Sequence, residues 1–448
     1  MLATLALSGC GEETEGADPL QGLWRSEGYG WIYAVEGDAV RVYEVTSSTC
    51  GQVVSGALVA TGREATGPAR IDLEVPGGFV LGMSVVQGPA GTLHFVPDGL
   101  VAGPPAQRID ALPPACEAEA PSDDLTAFDT LDEWLSEHYA LFEARDVDWD
   151  ELVAQQRARL VGQTPEPFFD VVVDLLAPLQ DAHVSIVGPT GAFEGRREEA
   201  EPVTDQMLAQ AQEIISSRYL VSMRETWLDG QIERAWLPGE VAYVAAHGFG
   251  PLVDADGRLD YLAGVDALET ALDRIFEAPM NGLVLDLRTN GGGSDLYGLA
   301  IAARLTREPY LAYTIEARLD PNDRSVFGND VPVMVLPSDR PGFDGPVAVL
   351  IGRDTVSAGE TAALALRGRP GITSYGERTQ GAFSSVLNHF LPNGWLLGLP
   401  NERYVSADEA RFDVVGLPPD VPTSVFSAED IAAERDAALD RALLGFDT

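Results

Sequence analysis

Short segments with alternating apolar and polar residues dominate the first quarter of the chain. They begin near Leu20, and Gly, Pro and Asp residues separate them at spacings typical of hairpins. Because successive side chains of a strand point to opposite faces, alternation with a period of two predicts half-buried β-strands. The clearest runs are Gly30–Val35, Ala39–Val45, Arg70–Val75 and Thr92–Val96. We expect residues 19–112 to form a small all-β domain, either a barrel or a sandwich.

Helical periodicity replaces this pattern after a stretch around 112–124 that is rich in proline and acidic residues. Apolar residues then recur every three or four positions, as they do on the buried face of a helix. They are Phe128, Leu131, Trp134 and Leu135, followed by Phe168, Val171, Val172 and Leu175. We expect a helical subdomain over residues 123–190.

Strand-like and helix-like segments alternate over residues 200–448. The apolar runs typical of buried strands are Gly239–Ala246, Gly282–Arg288 and Pro346–Gly352, and the helical patterns include Leu262–Phe276, Asp295–Leu305 and Ala358–Leu366. Such alternation predicts an α/β core built on a largely parallel sheet.

The charge balance narrows the possible functions. The chain has 29 basic residues against 70 acidic ones, a net charge of −41, and all of the basic residues are arginine. A surface this acidic repels phosphate backbones, so we expect no nucleic-acid partner and no polybasic contact with a membrane. The absence of lysine also excludes Schiff-base, Walker-type and Ser–Lys chemistry.

The N-terminal segment Met1–Cys10 is apolar and ends in small residues and a cysteine. Leu7–Gly9 before Cys10 resembles a bacterial lipobox. This resemblance implies a lipoprotein signal peptide, a lipid on Cys10 and an acidic tether over 11–18. The protein would then be exported and membrane-anchored in a bacterial cell envelope, in the periplasm or on the outer surface, with the lipid as its membrane contact. The alternative is a frayed apolar terminus.

If Cys10 carries a lipid, Cys50 and Cys116 remain as an even pair in an exported protein. We therefore expect a disulfide that ties the β domain to the segment after it. Zinc is a poor alternative, because two cysteines without a C-x-x-C spacing or nearby His pairs cannot complete a tetrahedral site.

We also expect no calcium site. Two acidic loops begin like calcium-binding loops, but an arginine, Arg258 in one and Arg324 in the other, stands at the position of the third calcium ligand.

Three short sequence motifs indicate catalytic residues, and each also has an ordinary structural explanation. The run Thr289–Gly293 follows a buried strand, where glycines let backbone N–H groups face a cleft, although a plain turn has the same pattern. Ser357 precedes a helix, and with Glu360 it also fits a helix-capping box. His183 stands where a helical run becomes extended, a position at which a lone His is more often structural.

Together and in this order, these segments resemble the tail-specific, C-terminal-processing serine peptidase family. The resemblance runs from about Thr126 to the C-terminus and is carried by Leu179–Val184, Leu285–Gly293, Asp354–Glu360, Tyr375–Gly381, Leu391–Gly394 and Asp413–Asp420. It implies a ClpP/crotonase-like α/β protease core in which Ser357 is the acylating nucleophile. It also implies an oxyanion hole formed by the N–H of Ala358 and one from the turn at Gly291 and Gly292.

The same resemblance identifies the general base. Much of the family uses a lysine at the position that Ala382 occupies here, and this chain has no lysine. The chain is therefore similar to the tricorn-like branch of the family. In that branch a histidine from the segment before the core acts as the general base, and an acidic residue orients this histidine. His183 matches that histidine and Asp413 matches the acid, with Glu360 and Asp181 as rivals. The extra serine of that branch is Ala182 here, and no PDZ loop is evident over 188–235.

We therefore expect a cell-envelope serine endopeptidase that acts on a peptide or protein substrate without a cofactor. The alternative is a catalytically silent lipoprotein of the same fold that binds a peptide or another ligand. Acyl-CoA chemistry on a crotonase-like core is a weaker third reading, because it does not explain the Ser357 and His183 pair. The aromatic residues of the β domain, Tyr29, Trp31, Tyr33 and Tyr43, are candidates either for a ligand pocket or for the domain core.

Overall fold

The computed structural model describes residues 19–59, 69–75, 79–118, 120–162, 164, 166–197, 203–367 and 369–446. The lipobox at Cys10 and the tether at 11–18 lie outside the described residues. Within these residues the chain has no helix with both the length and the apolar composition needed to cross a bilayer.

The N-terminal β domain is a closed antiparallel barrel. Its strands are β1 (Gly22–Ser26), β2 (Trp31–Glu36), β3 (Ala39–Val45), β4 (Cys50–Val59), β5 (Ala69–Val75), β6 (Phe79–Gln87), β7 (Leu93–Pro97) and β8 (Pro105–Ile109). Each strand pairs with the next, and β8 closes the barrel by pairing with β1, where Leu23 lies opposite Ile109. The inward positions are apolar, and Tyr33 stacks on Phe95 with ring centroids 3.9 Å apart. Of the two β architectures that the alternation predicts, the structure has the barrel.

A disulfide joins the barrel to the segment that leaves it. Cys50 begins β4, and its sulfur is bonded to that of Cys116, with Cα atoms 4.7 Å apart. Cys116 lies in a 3₁₀ turn at Pro114–Glu117, inside the proline-rich stretch. The bond therefore anchors the exit of the barrel to one of its own strands.

Four helices follow: α1 (Asp124–His138), α2 (Phe142–Arg145), α3 (Trp149–Leu160) and α4 (Phe168–Leu176). Asp123 caps α1 by accepting the Thr126 N–H at 2.9 Å, which satisfies one of the free donors of a helix start. The apolar residues at helical spacing are fully buried and pack against one another in one hydrophobic cluster.

The remaining elements form the α/β part of the molecule. Its strands are β9 (Ser185–Gly188), β10 (Gly191–Glu194), β11 (Glu225–Trp227), β12 (Ile232–Leu237), β13 (Val241–Ala246), β14 (Leu252–Val253), β15 (Arg258–Asp260), β16 (Gly282–Asp286), β17 (Tyr310–Arg318), β18 (Phe327–Val335), β19 (Val347–Ile351), β20 (Ile372–Gly376), β21 (Val386–Phe390), β22 (Leu396–Pro400), β23 (Glu402–Ser406) and β24 (Val421–Pro422). Its helices are α5 (Asp205–Ile214), α6 (Tyr261–Phe276), α7 (Asp295–Ala303), α8 (Ala358–Arg367), α9 (Ala428–Ala432) and α10 (Ala437–Leu443).

The central sheet has the order β11-β12-β13-β16-β19-β20-β24, and it is parallel from β13 to β24. Its middle strands are buried at every position, which explains their uninterrupted apolar sequence. Since β16 and β19 are parallel neighbours, the loops after them leave from the same edge of the sheet. This arrangement brings the glycine run and the Ser357 loop together.

The barrel packs directly on the α/β part. Strand β15 adds to the barrel sheet beside β6, with Arg258 opposite Val80. The Ser294 hydroxyl, which caps α7, donates to the Gly99 carbonyl of the barrel at 2.5 Å. Tyr29 of the barrel also donates to the buried carboxylate of Glu402 at 2.5 Å.

Candidate active site

Ser357 lies between β19 and α8 in a backbone conformation that serine rarely adopts. Its φ is +56°, in the left-handed region, and its N–H donates to the Ala382 carbonyl at 3.0 Å. A non-glycine residue held there is strained by roughly 1–2 kcal/mol, so the surrounding contacts must impose the conformation. A sharp strand-to-helix turn of this kind exposes a nucleophile at the edge of an α/β sheet.

The glycine run touches Ser357 directly. A Cβ on Gly292 would lie 2.6 Å from the Ser357 Cβ and 3.2 Å from its Oγ, so a larger residue cannot occupy this position. Asn290 holds the turn, because its side chain donates to the Ala246 carbonyl and accepts the Gly292 N–H, both at 3.0 Å. A glycine is therefore required at position 292 because Ser357 lies so close to it, and not only because the chain turns there.

The backbone donors around Ser357 are arranged differently from the expected oxyanion hole. The Gly292 N–H donates to Asn290, and the Gly291 N–H points to the His247 carbonyl at 3.4 Å. The N–H groups of Ala358 and Gly293 have no acceptor among the residues that the structure describes. Of the three predicted donors, Ala358 is the one free to bind an oxyanion here.

Glu360, in the first turn of α8, is fully buried beneath Ser357. Its carboxylate accepts the N–H groups of Gly381 at 2.7 Å, Ala382 at 2.8 Å and Ser357 at 3.3 Å. Burial raises the pKa of this carboxyl to about 7, although these hydrogen bonds oppose the shift. Glu360 thus organises the backbone around Ser357, and the structure shows no contact between it and His183.

His183 follows α4 and is buried, with 7% of its surface exposed. Burial lowers its pKa, and the charge of Asp181 acts in the opposite direction. Asp181 accepts the His183 backbone N–H at 3.0 Å, while Arg145 lies 3.2 Å from the same carboxylate. Asp181 therefore fixes the backbone of His183 and is already paired with an arginine.

Asp413, in the segment between β23 and β24, is also buried. Its Oδ2 accepts the Tyr404 N–H at 3.2 Å, and burial raises its pKa to about 7. The negative charges of Glu360 and Asp181 add to this upward shift of the Asp413 pKa. The Oδ1 of Asp413 and the Nδ1 of His183 are both buried, and neither has a hydrogen-bond partner among the described residues.

No hydrogen bond links the side chains of Ser357, His183 and Asp413 within the described part of the chain. The segments that carry His183 and Asp413 nevertheless converge on one loop. The Arg197 guanidinium donates to the Thr379 carbonyl at 3.0 Å, and the Val414 N–H donates to the Gly381 carbonyl at 2.8 Å. This loop continues to Ala382, whose carbonyl holds the Ser357 N–H.

A cavity of about 560 Å³ opens beside Ser357, and both the α/β part and the barrel line it. Tyr29 and Trp31 belong to the part of the cavity lining that the barrel contributes. Tyr33 instead belongs to the barrel core, and Tyr43 lines a different cavity near the disulfide. The sequence left both roles open for all four residues, since strand alternation does not show which end of a barrel meets another domain.

Comparison with known proteins identifies the core. Residues 240–423 match the model of Peptidase family S41. These residues form an S41 peptidase domain. The glycine run, Ser357, Glu360 and Asp413 all lie inside the S41 domain, whereas His183 and the barrel lie outside the matched residues.

Curated relatives and solved structures agree with this assignment. The chain is similar to carboxyl-terminal-processing peptidase 2 of Arabidopsis thaliana, 31% identical over 158 residues, which cover 35% of this chain and 28% of the relative. It is also similar to the carboxyl-terminal-processing protease of Synechocystis, 27% identical over 177 residues, or 39% of this chain and 38% of the relative. The chain thus spans about three tenths to two fifths of the length of these relatives.

Among solved structures, a candidate peptidase from Parabacteroides merdae superposes with a TM-score of 0.61 at 25% identity, covering 73% of this chain and 98% of that one. Mature CPAF in complex with lactacystin superposes with a TM-score of 0.53 at 12% identity, covering 72% and 97%. At that identity the second likeness concerns the fold alone.

Proposed function

We propose that the protein is a serine peptidase that hydrolyses peptide bonds through an acyl-enzyme on Ser357. The observation that carries this proposal is the left-handed Ser357, held against Gly292 at the edge of the S41 domain and facing a cavity. The curated relatives are named as processing peptidases, which supports the same reaction class.

In the first step the Ser357 Oγ attacks the carbonyl carbon of the scissile bond, and its proton passes to the base. The negative charge that develops on the carbonyl oxygen is stabilised by the free Ala358 N–H at the start of α8, where the helix dipole adds to the effect. The Gly293 N–H, also without an acceptor among the described residues, is the second donor that this geometry offers. The C–N bond then breaks, and the amine leaves with the proton from the base.

Water completes the cycle by attacking the Ser357 ester, with its proton taken by the same base and later returned to Ser357. We assign the base to His183, because the buried neutral imidazole is ready to accept a proton. Asp413 is assigned as its orienting acid. The buried Nδ1 of His183 and Oδ1 of Asp413 each lack a partner, and pairing them would satisfy both atoms.

A silent binding protein of the same fold is not favoured. Such a protein has no need to hold a serine in a strained conformation with unoccupied backbone donors beside it.

The test is covalent labelling with a fluorophosphonate followed by peptide mapping. We expect one adduct on Ser357, none in Ser357→Ala, and full labelling in Ser325→Ala, which removes an exposed serine outside the cavity. Folded wild-type protein that acquires no adduct would contradict the peptidase proposal.

We further propose that the protein works in a bacterial cell envelope, anchored by a lipid on Cys10. Two features support this location: the lipobox resemblance before Cys10, and the Cys50–Cys116 disulfide, a bond that persists in oxidising compartments. Cys10→Ala should release the protein from the membrane fraction after expression in a bacterial host. Retention of the variant in that fraction would exclude the lipid as the anchor.

A further inference from the structure

We propose that the barrel builds one wall of the substrate cleft and that this wall selects a bulky apolar side chain next to the scissile bond. This inference rests on the proposed peptidase function. The wall consists of Tyr29, Trp31 and residues 99–104, the part of the β7–β8 loop that lines the same cavity as Ser357.

The β7–β8 loop is anchored at several points. The Gly99 carbonyl accepts the Ser294 hydroxyl at 2.5 Å, and the Gly103 carbonyl lies 2.9 Å from the Nδ1 of His94. At the start of the loop, Asp98 forms an ion pair with Arg70 at 2.6 Å. A loop anchored in this way is a preformed surface, which lowers the entropy lost when a ligand binds.

Ser294 connects this wall to the catalytic turn. It immediately follows the glycine run that touches Ser357, and it caps helix α7. The barrel loop is therefore hydrogen-bonded to the residue next to Gly293, whose N–H has no acceptor among the described residues. A substrate held at Ser357 must pass between the loop and the S41 domain.

The chemistry of the cavity favours an apolar ligand. Trp31, Leu100 and Val101 from the barrel face Phe383 and Val331 from the S41 domain. Leu100 is 37% exposed although it lines the cavity, so a bound side chain would cover apolar surface that water now contacts. The carboxylates in the lining, among them Asp330, would repel an acidic side chain.

The first arm of the test measures hydrolysis of a positional-scanning library of internally quenched peptides. We expect wild-type protein to prefer Phe or Leu over Ala and Asp at one position next to the bond, which mass spectrometry locates. Leu100→Glu should reduce the Phe-over-Ala ratio of kcat/KM about tenfold. Leu444→Glu, the same change at an exposed leucine just after helix α10, should leave the ratio unchanged.

The second arm measures binding of the same Phe and Ala peptides to Ser357→Ala protein, with and without Leu100→Glu. Tighter binding of the Phe peptide that is lost in Leu100→Glu supports the inference, whether or not the wild-type protein hydrolyses peptides. Absence of hydrolysis by the wild-type protein would reject only the peptidase proposal. Equal binding of the two peptides, or a preference that Leu100→Glu leaves intact, would overturn the inference.

Discussion

The buried carboxylate of Glu360 accepts the backbone N–H of Ala382 at 2.8 Å, and the carbonyl of Ala382 accepts the N–H of Ser357 at 3.0 Å. By the family resemblance of the sequence, Ala382 matches the position of the lysine base that much of the C-terminal-processing family uses. Here that position contributes only its backbone to the site. Glu360 thereby holds the backbone around Ser357, and under the proposed mechanism another side chain must accept the serine proton.

Glu360→Gln should impair this arrangement. An amide would place its NH₂ group against backbone N–H donors that now share the two carboxylate oxygens, and a buried donor without an acceptor costs about 1–3 kcal/mol. We expect a lower melting temperature and a lower kcat with little change in KM. Glu277→Gln, at an exposed glutamate after α6, should change neither quantity. Unchanged kcat in Glu360→Gln would mean that the carboxylate does not position Ser357.

Ser357→Ala and Ser357→Gly should both abolish turnover but differ in stability. Because φ is +56° at this position, alanine inherits the backbone strain while glycine relieves it. We expect the glycine variant to be more stable than the alanine variant by about 1 kcal/mol in urea unfolding. The reverse order would show that the left-handed conformation is not strained in solution.

The pH dependence of kcat/KM should reflect His183. Burial lowers the pKa of this imidazole below its usual value near 6.5, and the base must be neutral to accept the serine proton. Activity should therefore rise on an acid limb centred below pH 6.5 and stay high above it. His183→Ala should lose nearly as much activity as Ser357→Ala. A His183→Ala variant that retains most of its activity would rule out this assignment.

Asp413 should affect both catalysis and the pH dependence of stability. Its pKa in the folded protein is raised to about 7, so the folded state binds a proton more tightly than the unfolded state does. The stabilisation from this carboxyl is complete below about pH 4 and is lost as the pH rises through 7. Asp413→Asn should flatten the fall in melting temperature between pH 4 and pH 7 and reduce kcat. An unchanged slope would show that Asp413 is not buried as a carboxylic acid.

Loss of the Cys50–Cys116 disulfide should destabilise the barrel. The bond closes a loop with a sequence separation of 66 residues, and loops of that size are stabilised by about 2–4 kcal/mol when crosslinked. Reductant should lower the melting temperature of the wild-type protein but not that of the Cys50→Ala/Cys116→Ala double variant. If reductant leaves the wild-type transition unchanged, the crosslink does not limit unfolding.

Much of the architecture follows from the sequence, because periodicity is a local property. Alternation predicted four of the barrel strands, β2, β3, β5 and β7, and the uninterrupted apolar runs predicted β13, β16 and β19 as buried parallel strands. The ordered motifs predicted the C-terminal-processing serine peptidase family, and residues 240–423 match the model of Peptidase family S41. Composition alone excluded a lysine base, since the chain contains no lysine.

Tertiary structure decided the details of the site, because they depend on contacts between distant segments. The left-handed Ser357 is imposed by Gly292 and by Ala382, which lie 65 residues before it and 25 residues after it. The burial that shifts the pKa values of Glu360 and Asp413 exists only after the sheet, helices and loops have packed. The sequence also could not predict that the barrel lines the cavity beside Ser357. Alternation shows which face of a strand is buried, but it does not show which end of the barrel contacts the S41 domain.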